Sequence, residues 1–172
     1  VVRMDYRIAN TGGSKARFMF AAHHRIAAGG RWKEGDYFHA GADRCFVYTV
    51  DNMPPLEEKG IRPGMWATLP LPEVTDYVPS PEPRSVMAFF PSGWCAVGDT
   101  CGEGIFFVAS RASVAGRMRQ MWMAVFMCNE RYVVEPSLTR AVQARPETWE
   151  DPEETVVLMP GEECSFSLCM IP

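Results

Sequence analysis

Val2-Arg3-Met4-Asp5-Tyr6-Arg7-Ile8 alternates apolar and charged residues. This is the period-2 pattern of a strand with one wet face and one buried face. Asn10-Thr11-Gly12-Gly13 follows as a turn. The next run, Arg17-Phe18-Met19-Phe20-Ala21-Ala22, suits a strand returning beside the first, so a hairpin is expected here. Further strands are expected at residues 45–50, 86–90, 94–97, 105–110, 121–128, 132–134, 155–158 and 165–171. Short strands at this spacing, with turn residues between them, predict an all-β fold, an antiparallel β-sandwich or barrel.

Composition agrees. A chain of 172 residues has room for a single domain, and 47% hydrophobic against 22% charged residues is enough to bury a core. Fourteen glycines and 14 prolines work against a helix bundle and favour many short elements. No apolar run approaches the roughly 18–20 residues of a membrane-spanning helix, so no membrane partner is expected. A net charge of −4 argues against a nucleic-acid or anionic-membrane partner, since both need a basic footprint. The six cysteines form no CxxC pair and sit mostly among apolar neighbours, as in Cys45-Phe46-Val47. They read as reduced, core-forming thiols of a cytoplasmic protein.

Three stretches fall outside the strand pattern. Residues 110–119 carry good helix formers and read as a loop or short helix, although Gly116 costs such a helix about 1 kcal/mol relative to Ala. The middle, 51–85, holds Met53-Pro54-Pro55, Leu69-Pro70-Leu71-Pro72 and a third prolyl run at 78–83, so it cannot be central sheet. The acidic stretch 145–154 reads as a solvated connection.

Candidate chemistry is sparse. The sequence has no Gly-rich phosphate loop, no GxSxG elbow, no HExxH and no EF-hand loop. Of three histidines two are adjacent, and successive strand residues point to opposite faces, so no metal site is expected. Two features remain. His23 ends an apolar strand, where an imidazole serves as proton donor or acceptor or is simply satisfied by backbone. Glu135 follows Tyr132-Val133-Val134 and precedes Pro136, which excludes helix. A carboxylate there is either a partly desolvated general base or an exposed charge where a strand meets a loop.

Taken in order along the chain, these pieces resemble the aldose 1-epimerase (galactose mutarotase-like) superfamily. The run from Tyr6 through Asn10-Thr11-Gly12 to Phe18-Met19-Phe20-Ala21-Ala22-His23 is similar to a family strand, turn and strand ending in the catalytic histidine. Gly93-Trp94-Cys95-Ala96-Val97 with Ile105-Phe106-Phe107-Val108 resembles a family hairpin. Met121-Trp122-Met123, Val134-Glu135-Pro136 and Leu158-Met159-Pro160-Gly161-Glu162 resemble its closing pattern. The resemblance implies a galactose mutarotase-like supersandwich and a small-molecule sugar substrate, with no cofactor. It implies His23 as general acid and Glu135 as general base, opening the hemiacetal so that reclosure gives the other anomer. Trp94 and Trp122 would line the sugar site. The resemblance also implies that the chain covers the C-terminal half to two-thirds of a larger domain, incomplete at its N-terminus. The chain departs from the family in placing His24 where Pro is usual, and neither Asp76 nor Asp99 sits in a motif matching its substrate-contacting aspartate. A non-catalytic carbohydrate-binding β-sandwich is the alternative reading, and a structural β-domain without a sugar ligand is the third.

Overall fold

A computed structural model of the chain describes residues 1–26, 37–68, 85–99, 101–128, 131–141, 147 and 149–172. The strands in chain order begin with β1 (Val2–Ala9), β2 (Ala16–Phe18), β3 (His24–Ile26), β4 (Tyr37–Ala40) and β5 (Cys45–Asp51). A short helix α1 (Pro54–Glu58) leads to β6 (Met65–Ala67), β7 (Ser85–Phe90), β8 (Trp94–Gly98) and β9 (Gly104–Ala109). The last are β10 (Ala112–Val114), β11 (Arg117–Arg119), β12 (Trp122–Cys128), β13 (Arg131–Ser137), β14 (Val156–Leu158) and β15 (Glu163–Ile171).

These strands build an all-β antiparallel sandwich. The first sheet runs β11-β10-β15-β9-β8-β4, and β1 lies along the other edge of β15. The second runs β3-β13-β12-β7-β5-β6, and β2 pairs β14 separately. Alternation sends Phe38, Cys95, Val97, Phe107, Phe166 and Leu168 of the first sheet into the same buried cluster as Val47, Ala88, Phe90, Met123, Val125 and Val134 of the second. Each large side chain so buried contributes about 1.5–3 kcal/mol. Among the described residues no helix is long and apolar enough to cross a membrane.

The expected hairpin between the first two strands does not form. β1 pairs β15 from Val2↔Met170 to Ala9↔Glu163, and the stretch after the turn is shared out elsewhere. β2 pairs β14, Ala21 bridges Ser137, and β3 joins β13. Asn10 makes this departure possible. Its backbone bonds to the closing turn of the chain in both directions, Asn10 N–H to Glu162 C=O and Gly161 N–H to Asn10 C=O, both 2.9 Å. Its buried side chain donates to the Ser14 and Leu158 carbonyls at 2.8 and 2.9 Å and accepts from Gly12 N–H at 3.0 Å. The chain is thereby turned out of the first sheet towards the second.

Residues 110–119 are not helical. They form the β10–β11 hairpin, whose two turn residues, Ala115 and Gly116, have φ of 49° and 76°. Two consecutive left-handed residues are what a two-residue hairpin turn requires, and Gly116 supplies one at no steric cost. The helix lies instead in the irregular middle, where Pro54 and Pro55 occupy its first turn and lose no intrahelical bond. Among the described residues the strand within the middle, β6, is an edge strand. The prolyl runs within 69–84, together with Trp32, Asp76 and residues 145, 146 and 148 of the acidic stretch, lie outside the described residues.

Two expectations follow. Asn10→Ala removes three hydrogen bonds, one buried and two partly buried, and takes a donor from the Leu158 and Ser14 carbonyls, so urea denaturation should register a loss of about 1–3 kcal/mol. The thiols of Cys45, Cys95, Cys101, Cys164 and Cys169 are free, and only Cys101 among them is exposed. Burial pushes the Cys45 thiol up to about 12 and raises Cys95 further. A thiol reagent near pH 8 should therefore modify Cys101 in the native protein, and Cys45 and Cys95 only on unfolding.

Candidate functional site

Register alone brings one row of residues across the second sheet. Glu135 stands opposite Ala124, Ala124 opposite Phe89, Phe89 opposite Phe46, and Phe46 opposite Trp66. Directly opposed residues share a face, so this row lies on the side of the sheet away from the sandwich core. Phe46, Met87, Phe89, Trp122 and Ala124 form a second buried apolar cluster there, with Tyr48 and Phe126 packed against it. Glu135 is the carboxylate at the end of that row.

β13 continues through Glu135 and Pro136 to Ser137, rather than ending before them. In a strand the N–H and C=O of one residue point to the same side. Pro136 C=O accepts from Ala22 N–H at 2.9 Å, so the donor that Pro136 lacks would also have faced the 21–23 segment and not β12. The β12–β13 ladder loses nothing by the proline.

The same edge of β13 delivers the histidines. β3 places His24 opposite Val134, so His23, one residue earlier, comes beside Glu135. The approach is held by Ala22 N–H to Pro136 C=O and by Leu138 N–H to Phe20 C=O, both 2.9 Å. The Phe20 ring is anchored against Tyr6 and Phe166 at 5.1 and 5.0 Å. The result is a contact of 2.5 Å between His23 Nδ1 and Glu135 Oε1. The carboxylate side chain is 8% exposed and the imidazole 53% exposed. With Glu135 ionised, Nδ1–H donates, and Nε2 is left outside this bond. The arrangement can therefore exchange protons with a solute arriving from solvent.

His24 takes the other side. Its ring lies 5.5 Å from Phe107 of the core, and its buried Nε2 has no hydrogen-bond partner among the described residues. Burial lowers its pKa from the usual 6.5, and the like charge of His23 lowers it further.

The two tryptophans part company. Trp122 shares the face of Glu135, but at 7% exposure its ring is buried, 6.0 Å from that of Trp66. Trp94 does not reach this face. It lies on the outside of the first sheet, stacked on Phe106 at 5.2 Å, with its indole over Gly41. The reason is β8's membership of the other sheet, which no local pattern reveals. The exposed aromatic on the Glu135 face is Trp66, at 39%, with the Arg44 guanidinium 4.8 Å above its ring. Arg140 lies 4.3 Å over Phe46 and is ion-paired to Asp151 and Glu153. Trp66 is one of five tryptophans in the sequence, and the pairing of β6 with β5 is what puts it on this face. Asp99 is buried and closes the β8–β9 turn by accepting from Cys101 and Glu103 N–H at 2.9 and 3.1 Å. Among the described residues no His, Cys, Asp and Glu cluster could hold a metal ion.

No protein-family model matches the chain, and no curated protein matches it in sequence. Among solved structures it is similar to the crystal structure of the Slr1438 protein from Synechocystis sp. PCC 6803, at 13% identity and a TM-score of 0.56. The match covers 98% of this chain and 50% of that one, so the chain spans about half the length of that protein. This likeness shows the sandwich fold and nothing of its chemistry.

His24 sets a pH dependence. Its lowered folded-state pKa means that above the ordinary value of 6.5 both folded and unfolded forms are neutral. Below it the unfolded chain binds the proton more readily, so stability falls as pH drops. Urea midpoints measured downward from pH 7 should decline through this window, and His24→Leu should blunt that decline.

Proposed function

We propose that the chain is a carbohydrate-binding isomerase of the aldose 1-epimerase type, with His23 and Glu135 as its acid and base. The observation that carries this reading is the 2.5 Å pairing of a half-exposed imidazole with a buried carboxylate. The two come from points 112 residues apart and meet at the end of an aromatic row. Glu135 would take the proton from the anomeric hydroxyl while protonated His23 gives one to the ring oxygen. The bond between the anomeric carbon and the ring oxygen breaks as the carbonyl forms. Rotation and reclosure with the roles reversed yield the other anomer. In the free protein the two groups bond to each other, so the sugar's two oxygens would have to replace that bond. The free thiols suit a reducing, cytoplasmic setting.

A second reading, a non-catalytic carbohydrate-binding module, is favoured by the cover over Trp122 and by the mutual satisfaction of His23 and Glu135. Polarimetry on freshly dissolved α-glucose and α-galactose separates the two. The isomerase reading expects accelerated mutarotation that falls about 10²–10⁴-fold in His23→Ala and in Glu135→Gln. A sugar-dependent change in tryptophan fluorescence without acceleration would favour the binding module. Neither response would overturn both.

A further inference from the structure

The longest unbroken pairing in the molecule leaves one free edge. β1 pairs β15 along eight residues without a bulge and contains neither Pro nor Gly. Among the described residues nothing pairs its other edge. The phase of the free backbone groups follows from the turn beyond it. Asn10 N–H and C=O both bond towards the β15 side, and the direction alternates along a strand. The groups of Ile8, Tyr6 and Met4 therefore face β15, and those of Ala9, Arg7, Asp5 and Arg3 face outward.

We propose that this edge is a dimer interface, pairing β1 with β1 of a second copy in antiparallel register centred on Tyr6. Hydrogen-bond phase limits the choices, because an outward residue must stand opposite an outward residue. Charge then separates them. Arg3, Asp5 and Arg7 share the exposed face of the strand, as the alternating burial of β1 requires. A register centred on Asp5 sets Asp5 against its own copy and Arg3 against Arg7, and opposed like charges are destabilising. Centring on Tyr6 sets Asp5 against Arg7 of the second copy twice over. It also places Met4 against Ile8 and Tyr6 against Tyr6 on the inner face, where all three are half-buried. The alternative centre, Met4, pairs Asp5 with Arg3 but matches Tyr6 with the exposed Val2 and leaves Ile8 unpaired. The Tyr6 register satisfies both faces.

The test is solution mass by light scattering across a concentration series, with circular dichroism confirming that each variant is folded. The wild-type chain should approach twice 19.3 kDa. Asp5→Arg, which makes three successive outward residues cationic, should shift the mass to that of a monomer at the same concentration. The double variant Asp5→Arg/Arg7→Asp reverses both charges of the pair and should restore the dimer. A monomeric wild type overturns the proposal. So does a dimer unmoved by Asp5→Arg, or one restored by Asp5→Arg/Arg3→Asp but not by Asp5→Arg/Arg7→Asp.

Discussion

The pairing of the first strand with the last governs what the rest of the chain can do. β1 and β15 are joined in continuous register across more than 150 residues of sequence, Val2 to Met170 and Ala9 to Glu163. Closing so long a loop costs entropy, though only slowly more with length. Eight ladder residues with Met4, Tyr6 and Ile8 packed on the core offset it. Once the register is set, Asn10 meets the Met159–Glu162 turn, where Gly161 at φ 80° and Glu162 N–H to Met159 C=O at 3.0 Å close the bend. From there the chain has no place left beside β1 on the β15 side. It crosses to β14 and then to β13, and that crossing delivers His23 to Glu135.

The carboxylate is the local exception in this arrangement. Every other member of its row, Ala124, Phe89, Phe46 and Trp66, is apolar or aromatic, and the fold would close over an apolar side chain at that position without a desolvation cost. Burying a carboxyl group there is tolerable because His23 supplies a hydrogen bond. Places where a sequence breaks its own pattern are where function is most often found. The His23–Glu135 pair is such a place, whereas Asn10 and Asp99, equally buried and polar, are spent on turns.

Most strands were legible because a period of two needs only neighbouring residues to be seen. β5, β7, β8, β9, β12 and β15 fall within a few residues of their expected bounds. What alternation does not encode is the partner. Phe18 to Ala22 reads equally well as the return arm of a hairpin and as three short contacts with β14 and β13, and the choice was made by β15. Residues 110–119 misled because Ala, Met and Arg favour helix locally, while the left-handed pair Ala115-Gly116 settles the hairpin. Pro136 hid the end of β13, since a proline inside a strand is excluded only where its missing donor faces the ladder. The opposition of His23 and His24 was legible from alternation, but their distance from Glu135 depended on pairing. Trp94 and Trp122 look alike in sequence and lie on different sheets.

Adjacent histidines at the start of one short edge strand thus meet two different environments. His23 emerges on the outer face into a bond with a carboxylate, and His24 turns towards Phe107 with a ring nitrogen that has no partner among the described residues. The chemistry proposed for the first needs the cationic form in one half of the cycle. The second resists that form through burial, and more so when its neighbour is charged. His23 immediately precedes, and His24 begins, a strand of three residues that among the described residues is held by β13 alone. Edge elements with few bonds open at less cost than the core. The segment that carries the imidazole to the carboxylate thus also holds a histidine whose burial disfavours its protonated form, so acid works against its seating.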